Sequence, residues 1–455
     1  MKLGRLILVI AVLALVLSCA SPPLDSEAPP DSELPSDSEP PPESEPPPDD
    51  TSPQTINGSL EDVEGVPILR LWGSPYEMGY AYGYLCASQI FESVERMFFW
   101  LEQNPNVTYE AMVDRMNRYI LWHDIYIEEA TACLAGMEAV LGSLPVITSD
   151  IIEAGSRKVD LEMLLLLNSF GHIMNVAQGC SGFAAWGEAT GDGQTRAGGT
   201  VDSDRTTASQ YLLVVRKPAY GLSTVCLSYS GLFLGGSVGP SKGMNETGLV
   251  MVTQGAYGYF NPAWTPVTDA GYTYVMLRDI LEQVAASPDM VTNITEIFQE
   301  SNSNFSGTLL FVQKSYTADN PQADQMAVVI EKDPFGFDVR LPSRNSLYDT
   351  PLREAIFATN YFLLRQIPPG YAPDADSVNR YRGMVAAAID LVVSGLSEMQ
   401  EVLQGAAVPG SIHSMYMEPD SLTIHIAFGT EEGPPSPYLT PVTFTWDELF
   451  APIPD

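Results

Sequence analysis

A cysteine acts as a nucleophile only when something takes its proton, and this chain offers few side chains for that task. Its 455 residues include four histidines, His123, His172, His413 and His425, and none belongs to an HExxH pair. GxxxxGK[ST] and paired-cysteine motifs are also absent, which removes the common metal and nucleotide signatures. No metal and no cofactor is expected. One stretch could still carry chemistry: Gly179–Asp204, GCSGFAAWGEATGDGQTRAGGTVDSD, which reads as a strand, a turn of acids and glycines, and a second strand ending in Asp202.

Taken alone, Cys180 reads most simply as a small buried apolar residue. A thiol can do without histidine, however, when its own residue carries a free α-amine, whose ordinary pKa near ~8 suits a base at neutral pH. That requires Cys180 to be N-terminal, although it stands in mid-chain. Self-cleavage supplies the means: the thiol attacks the Gly179 carbonyl, the amide becomes a thioester, and water releases the upstream segment. Gly179, with no side chain, lets the strained backbone of that step form.

Further segments follow in order. GGTVD ends at Asp202, GMNETGLVMVTQG carries Asn245 and Gln254, FATNYF carries Asn360 and SVNRYRGMV carries Arg380. Singly, Asp202 is a strand-end turn residue, Asn245 a turn residue beside Gly248, and Arg380 half of a helical surface ion pair. Asn360 follows the apolar run AIFAT, so its amide is partly buried and needs partners. Together with GSPYEMGYAYG and DLEMLLLLNSF upstream, and over roughly residues 70–440, the set resembles the acyl-coenzyme A:6-aminopenicillanate acyltransferase family of N-terminal-nucleophile hydrolases. That family is similar in turn to the choloylglycine hydrolases, the bile salt hydrolases and penicillin V acylases.

The resemblance implies an α+β fold, a four-layer αββα sandwich preceded by a helical pro-segment. It places Cys180 as nucleophile after cleavage at Gly179. Asp202 and Arg380 orient the α-amine and set its charge, Asn360 is the catalytic amide that stabilises the oxyanion with backbone N–H groups, and Gln254 is a further oxyanion candidate. Asn245 stays structural. Two departures stand out: Gly199 is found where many relatives have arginine, with Arg196 nearby, and Gln254 puts an amide on a longer arm than the family's asparagine. The implied substrate is a small amide-linked acyl compound, its thioester resolved by water or an amine. A binding protein without turnover and a phospholipid or ester hydrolase are the alternatives on the same fold.

The elements that must position these residues are legible in outline. YEMGYAYGYLCASQIFESVERMFFWLEQ, IEEATACLAGMEAVLGSL and DLEMLLLLNSFGHIMNVA show three-and-four apolar spacing, which predicts packed helices over 65–179. Beyond Cys180 short β-rich runs such as YLLVVRK, GLVMVTQGA, GTLLFVQ and MAVVIEK alternate with turns, and helical stretches recur at YTYVMLRDILEQVAA and SVNRYRGMVAAAIDLVVSGL. Strands followed by grouped helices predict stacked sheets covered by helices over 180–455.

The N-terminus belongs to another regime. Lys2 and Arg5 precede an apolar run to Leu17, too short to span a bilayer, and LVLSC resembles a bacterial lipobox. Residues 1–18 are expected to be a signal peptide and Cys19 the lipid-modified first residue of an exported, membrane-anchored lipoprotein. The expected tether, residues 19–64, is rich in Pro, Ser, Asp and Glu and cannot bury enough surface to fold over most of its length. The whole chain carries 57 acidic against 22 basic residues, a formal charge of −35, which argues against nucleic acid as a partner. Setting Cys19 aside, Cys86, Cys133, Cys180 and Cys226 are either disulfide partners or free thiols.

Cys19→Ser is expected to leave the protein soluble or unprocessed. Detergent partitioning equal to that of the wild type overturns the lipid anchor.

Overall fold

The computed structural model describes residues 55–103, 107–174, 179–229, 241–255, 273–300, 306–315, 323–333, 336–344, 354–365 and 375–454. The expected signal peptide, Cys19 and the tether as far as residue 54 lie outside the described residues.

The chain opens with strands β1 (Gly58–Val63) and β2 (Val66–Gly73), then helices α1 (Pro75–Glu102), α2 (Tyr109–Tyr119) and α3 (Asp124–Leu141). A ribbon of β3 (Val146–Thr148) and β4 (Ser156–Lys158) leads to α4 (Leu161–Met174). Six strands come next: β5 (Gly179–Gly187), β6 (Gly193–Asp202), β7 (Tyr211–Pro218), β8 (Thr224–Tyr229), β9 (Lys242–Asn245) and β10 (Leu249–Gly255). Helices α5 (Thr273–Gln283) and α6 (Met290–Glu300) precede β11 (Gly307–Gln313), β12 (Ala327–Asp333), β13 (Gly336–Arg340) and β14 (Ala355–Thr359). Helices α7 (Ala375–Ala388) and α8 (Leu396–Gln404) are followed by β15 (Ser411–Glu418), β16 (Thr423–Phe428) and β17 (Val442–Thr445).

Among the described residues these strands form a nine-stranded sheet, β1-β2-β7-β8-β9-β10-β11-β12-β13, and a six-stranded sheet, β14-β5-β6-β15-β16-β17, besides the β3-β4 ribbon. Each is mostly apolar on both faces, because each face is covered. Ala184, Val201, Val252, Leu310, Ile356 and Met415 meet in a core between the sheets. The other face of the larger sheet, with Leu212, Met251 and Phe311, packs on α1 to α6. The other face of the smaller sheet, with Phe183, Phe357 and Tyr416, packs on α7 and α8. Alternate residues along each central strand thus serve two cores.

Local chemistry explains the first helix. Ser74 caps α1 with Pro75 in its first turn: Ser74 Oγ accepts from Glu77 N at 3.2 Å, and Glu77 Oε2 accepts from Ser74 N at 2.7 Å. Helices α1 and α3 then cross with their backbones in close approach. A Cβ at Gly83 would lie 1.9 Å from the Cys133 carbonyl oxygen, and one at Gly136 would lie 2.1 Å from that of Tyr80. A buried charge cluster ties this helix pair onward. Glu129 of α3 accepts from Arg216 of β7 and from Arg278 of α5, both at 2.9 Å, and Glu282 joins Arg216 at 2.9 Å. Burial alone would raise the Glu129 carboxyl, but the two guanidiniums outweigh it and hold the group below its usual range.

Two expectations need correction. The ordered chain begins before residue 65: Gly58–Val63, assigned by composition to the tether, pairs antiparallel with Val66–Leu71. Nor is 65–179 purely helical. Strand β2 joins β7 in parallel, Ile68 opposite Leu213 and Gly73 opposite Pro218, so the segment before Cys180 supplies an edge of the larger sheet. A short apolar run such as VPILRLWG satisfies strand and helix patterns alike until its partner is known. Cys86, Cys133, Cys180 and Cys226 are all free and buried, so the thiol option applies to each. Among the described residues no helix is long and apolar enough to cross a membrane.

His413 stands fully buried between Tyr211 and Phe428, each ring centroid 4.5 Å from its own. Burial drives its pKa down to about 3, with the charge of Lys242 acting the same way. The unfolded chain takes up this proton below pH ~6.5 while the fold refuses it, so stability is complete above that pH and falls as pH drops toward 3, by about 2 kcal/mol at pH ~5. His413→Phe is expected to shrink the loss of Tm between neutral pH and pH ~5; a loss equal to that of the wild type contradicts this.

Candidate active site

Strands β5 and β6 form a hairpin in which Gly179 lies opposite Asp202 and Cys180 opposite Val201. Residues far apart in sequence therefore meet at its open end. On the other side β14 pairs with β5, Thr359 opposite Ser181, so the residue leaving β14, Asn360, arrives at the same end. Helix α7 lies over this face and brings Arg380. All four expected catalytic residues, with Gly179, are gathered in one place.

Arg380, 4% exposed, is the hub. Its Nη1 donates to the Cys180 carbonyl oxygen at 2.6 Å and to Ser181 Oγ at 2.9 Å. Its Nη2 donates to Asn360 Oδ1 at 2.9 Å and to Ser377 Oγ at 3.0 Å, and Nε to Asp376 Oδ2 at 2.8 Å. Asp202 Oδ2 sits 3.5 Å from Nη1, and Asp202 Oδ1 accepts from Ser411 Oγ at 2.6 Å. Burial raises the Asp202 carboxyl above its usual range, although Arg380 and Ser411 pull it down. The reason for Gly179 is visible here, since a Cβ there would lie 2.8 Å from Asp202 Cβ and 3.0 Å from Oδ2.

Asn360 is bound at both ends of its amide. Oδ1 accepts from the backbone nitrogen of Cys180 at 2.7 Å, and Nδ2 donates to the Gly255 carbonyl oxygen. In this arrangement the side chain holds the Cys180 nitrogen and its Nδ2 is turned to β10, which differs from the oxyanion-stabilising role expected of Asn360. Behind it Glu331, fully buried on β12, fixes the turn that follows. Glu331 Oε1 accepts from Leu363 N at 3.0 Å and from Arg340 Nε at 2.8 Å; Oε2 accepts from Leu364 N at 2.7 Å and Arg365 N at 2.9 Å. Thr359 Oγ1 donates to the Ser377 carbonyl oxygen at 3.1 Å, locking β14 to α7.

The Cys180 side chain belongs to the face it shares with Gly182 and Ala184, which is turned toward the larger sheet. A Cβ at Gly182 would lie 2.5 Å from Gln254 Nε2, so Gln254 reaches across from β10 to the strand that carries the thiol. Gln254 is fully buried, Oε1 is 2.9 Å from Thr308 Oγ1, and Nε2 has no hydrogen-bond partner among the described residues. Burial pushes the thiol of Cys180 up; Lys242 pulls it down, Asp202 pushes it up and Arg380 pulls it down.

Two other residues lie elsewhere. Asn245 serves the β9–β10 turn, donating to the carbonyl oxygens of Leu281 and Val284 and accepting from Thr247 N and Leu249 N. Arg196 lies toward the closed end of the hairpin, its Nη2 3.0 Å from Asp192 and 3.9 Å from Glu418, and it does not take part in the cluster around Cys180. Glu331 and Lys242 escaped the reading of the sequence. Glu331 stands within a largely apolar strand, which is the one local signal it gives, and Lys242 opens the short strand KGMN, which gives none.

The chain matches no protein-family model, and no curated protein matches it. Similar solved structures include a single-residue variant of conjugated bile acid hydrolase from Clostridium perfringens, at 12% identity and a TM-score of 0.38, covering 59% of this chain and 93% of that one. The Caenorhabditis elegans ortholog of N-acylethanolamine-hydrolyzing acid amidase has 15% identity and a TM-score of 0.35, covering 53% and 93%. Penicillin V acylase from Agrobacterium tumefaciens has 12% identity and a TM-score of 0.36, covering 58% and 85%.

Arg380→Met leaves the buried Asp202 carboxylate without its cation, at a cost of about 3 kcal/mol or more. Protonation relieves that cost, and the carboxyl of Asp202, already raised, rises further in the variant. The loss in denaturant stability is therefore expected to be largest near pH ~8 and smaller near pH ~5; a loss independent of pH disproves the pairing.

Proposed function

We propose that the chain is a cysteine amide hydrolase or acyltransferase of the N-terminal-nucleophile kind, activated by its own cleavage between Gly179 and Cys180. The observation that carries this reading is what the site grips. Asn360 accepts from the main-chain nitrogen of Cys180 and Arg380 donates to its carbonyl oxygen, with Asp202 alongside. An ordinary cysteine within a strand has its main-chain nitrogen and carbonyl oxygen bound by a neighbouring backbone, whereas here side chains bind both. A site built around the nitrogen suits a residue whose nitrogen becomes the working base. Two face-packed sheets with helices on both outer faces are in keeping with an αββα sandwich.

In the uncut chain Sγ adds to the Gly179 carbonyl carbon, the Gly179–Cys180 C–N bond breaks, and the thiol proton passes to the leaving nitrogen. Water then hydrolyses the thioester, leaving a Gly179 carboxylate and a free amine on Cys180. In turnover that amine takes the thiol proton, the thiolate attacks an amide carbonyl, the amine returns a proton to the departing nitrogen, and water or an acceptor amine then displaces Cys180 from the thioester, the sulfur regaining its proton as the acid or new amide leaves. Asn360 and Arg380 keep the amine in place and Asp202 sets its charge. Gln254 Nε2, with backbone N–H groups, serves the oxyanion. The substrate is a small amide-linked acyl compound, met by an enzyme held at a membrane surface through Cys19.

N-terminal sequencing of the purified full chain is expected to show a second chain beginning Cys-Ser-Gly-Phe, and Cys180→Ala to give one uncut chain without hydrolase activity. A fragment with any other start, or the same fragment from Cys180→Ala, defeats the reading in favour of a binding protein on this fold.

A further inference from the structure

Beneath Cys180 the two sheets enclose a slot made by paired glycines. Gly182 and Gly199 stand opposite each other in β5 and β6, and both faces that lack a side chain look toward the larger sheet. Gln254 enters beside Gly182. Lys242 enters beside Gly199, where a Cβ would lie 2.8 Å from Lys242 Cε and 2.6 Å from Val252 Cγ1. Lys242 is fully buried, and its Nζ has no hydrogen-bond partner among the described residues.

An ammonium without a partner in an apolar interior is expensive, and methionine would fill the same volume at no such cost. The groups that face it account for its presence. Cys180 of β5, Asp202 of β6 and His413 of β15 each interact electrostatically with Lys242, and Arg380 of α7 acts on Cys180 and Asp202 from the helix side. Of the charges acting on the thiol, that of Lys242 has the largest effect, ahead of Asp202 and Arg380. The lysine pays in its own protonation: burial depresses it, and Cys180 and Asp202 support it.

We propose that Lys242 is the cation that stabilises the Cys180 thiolate, lodged in the slot that Gly182 and Gly199 leave between the sheets. The proposal rests on the reading of Cys180 as nucleophile. It divides the support of one residue between two layers: Arg380 and Asn360 hold the backbone of Cys180 from one side, and Lys242 serves the sulfur from the other.

The test uses the full chain with Lys242→Met and Lys242→Gln. Alkylation of Cys180 by iodoacetamide is followed against pH and located by peptide mapping, alongside the rate of fragment formation and Tm. Expected is a rise of about one unit or more in the alkylation midpoint, roughly tenfold less thiolate at neutral pH, slower self-cleavage and no fall in Tm. An unchanged midpoint overturns the proposal. So does failure of both variants to fold, since Lys242 is then a structural part of the core. The two readings fail separately: unchanged alkylation in the lysine variants, with cleavage still lost in Cys180→Ala, removes the role of Lys242 alone. Cleavage that persists in Cys180→Ala removes the nucleophile reading, whatever the alkylation profile.

Discussion

The candidate site depends on one buried guanidinium. Arg380 reaches the carbonyl oxygen of Cys180, Ser181, Asn360, Ser377 and Asp376 through hydrogen bonds and Asp202 through charge. These partners come from β5, β6, the end of β14 and α7 itself, elements far apart in sequence. A planar fork of five donors can hold such a set in fixed directions, which a lysine ammonium on a flexible stem cannot. The cost of burying the cation is offset by Asp202, and Asp202 is tolerable in the same interior because of Arg380. Removal of Arg380 takes from Asp202 the cation that acts on it most strongly, whereas removal of Asp202 still leaves Arg380 its ion pair with Asp376, so the aspartate depends on the arginine more than the reverse.

Strand geometry supplies the second constraint. Side chains alternate, so within β5 the residues Gly179, Ser181 and Phe183 turn toward α7 and α8 while Cys180, Gly182 and Ala184 turn toward the larger sheet. A shift of one residue in the register with β6 would exchange the two sets and send the thiol into the helix layer. Register is secured on both sides, by the pairing with β6 and by the pairing with β14 that also delivers Asn360.

The parts legible in the sequence were those whose cause is local. The hairpin from Cys180 to Asp202 follows from two strand-like runs around an acid-and-glycine turn, and the helices of 75–102 and 124–141 follow from apolar spacing. Asn360 was conspicuous because an amide after AIFAT has to be satisfied. What was not legible has causes elsewhere in the chain. Lys242 is buried because Gly182 and Gly199, far upstream, leave it room. Glu331 follows the apolar run MAVVI, and its burial comes from Arg340 and from three loop amides at 363–365. Strand β1 was hidden in an acidic stretch and owes its order to pairing with β2.

The parallel seam between β2 and β7 bears on how the molecule is assembled and taken apart. Residues 55–174 cannot be treated as a removable cap, because without them β7 would be left as a bare edge with its hydrogen-bonding groups open to other chains. While the backbone is continuous, the two halves of this seam find each other within one molecule. Were it severed ahead of Cys180, they would be separate polymers, and their reunion would depend on concentration. A cut protein would therefore fold once, as a single chain, and its persistence afterwards would be governed by how slowly the seam opens.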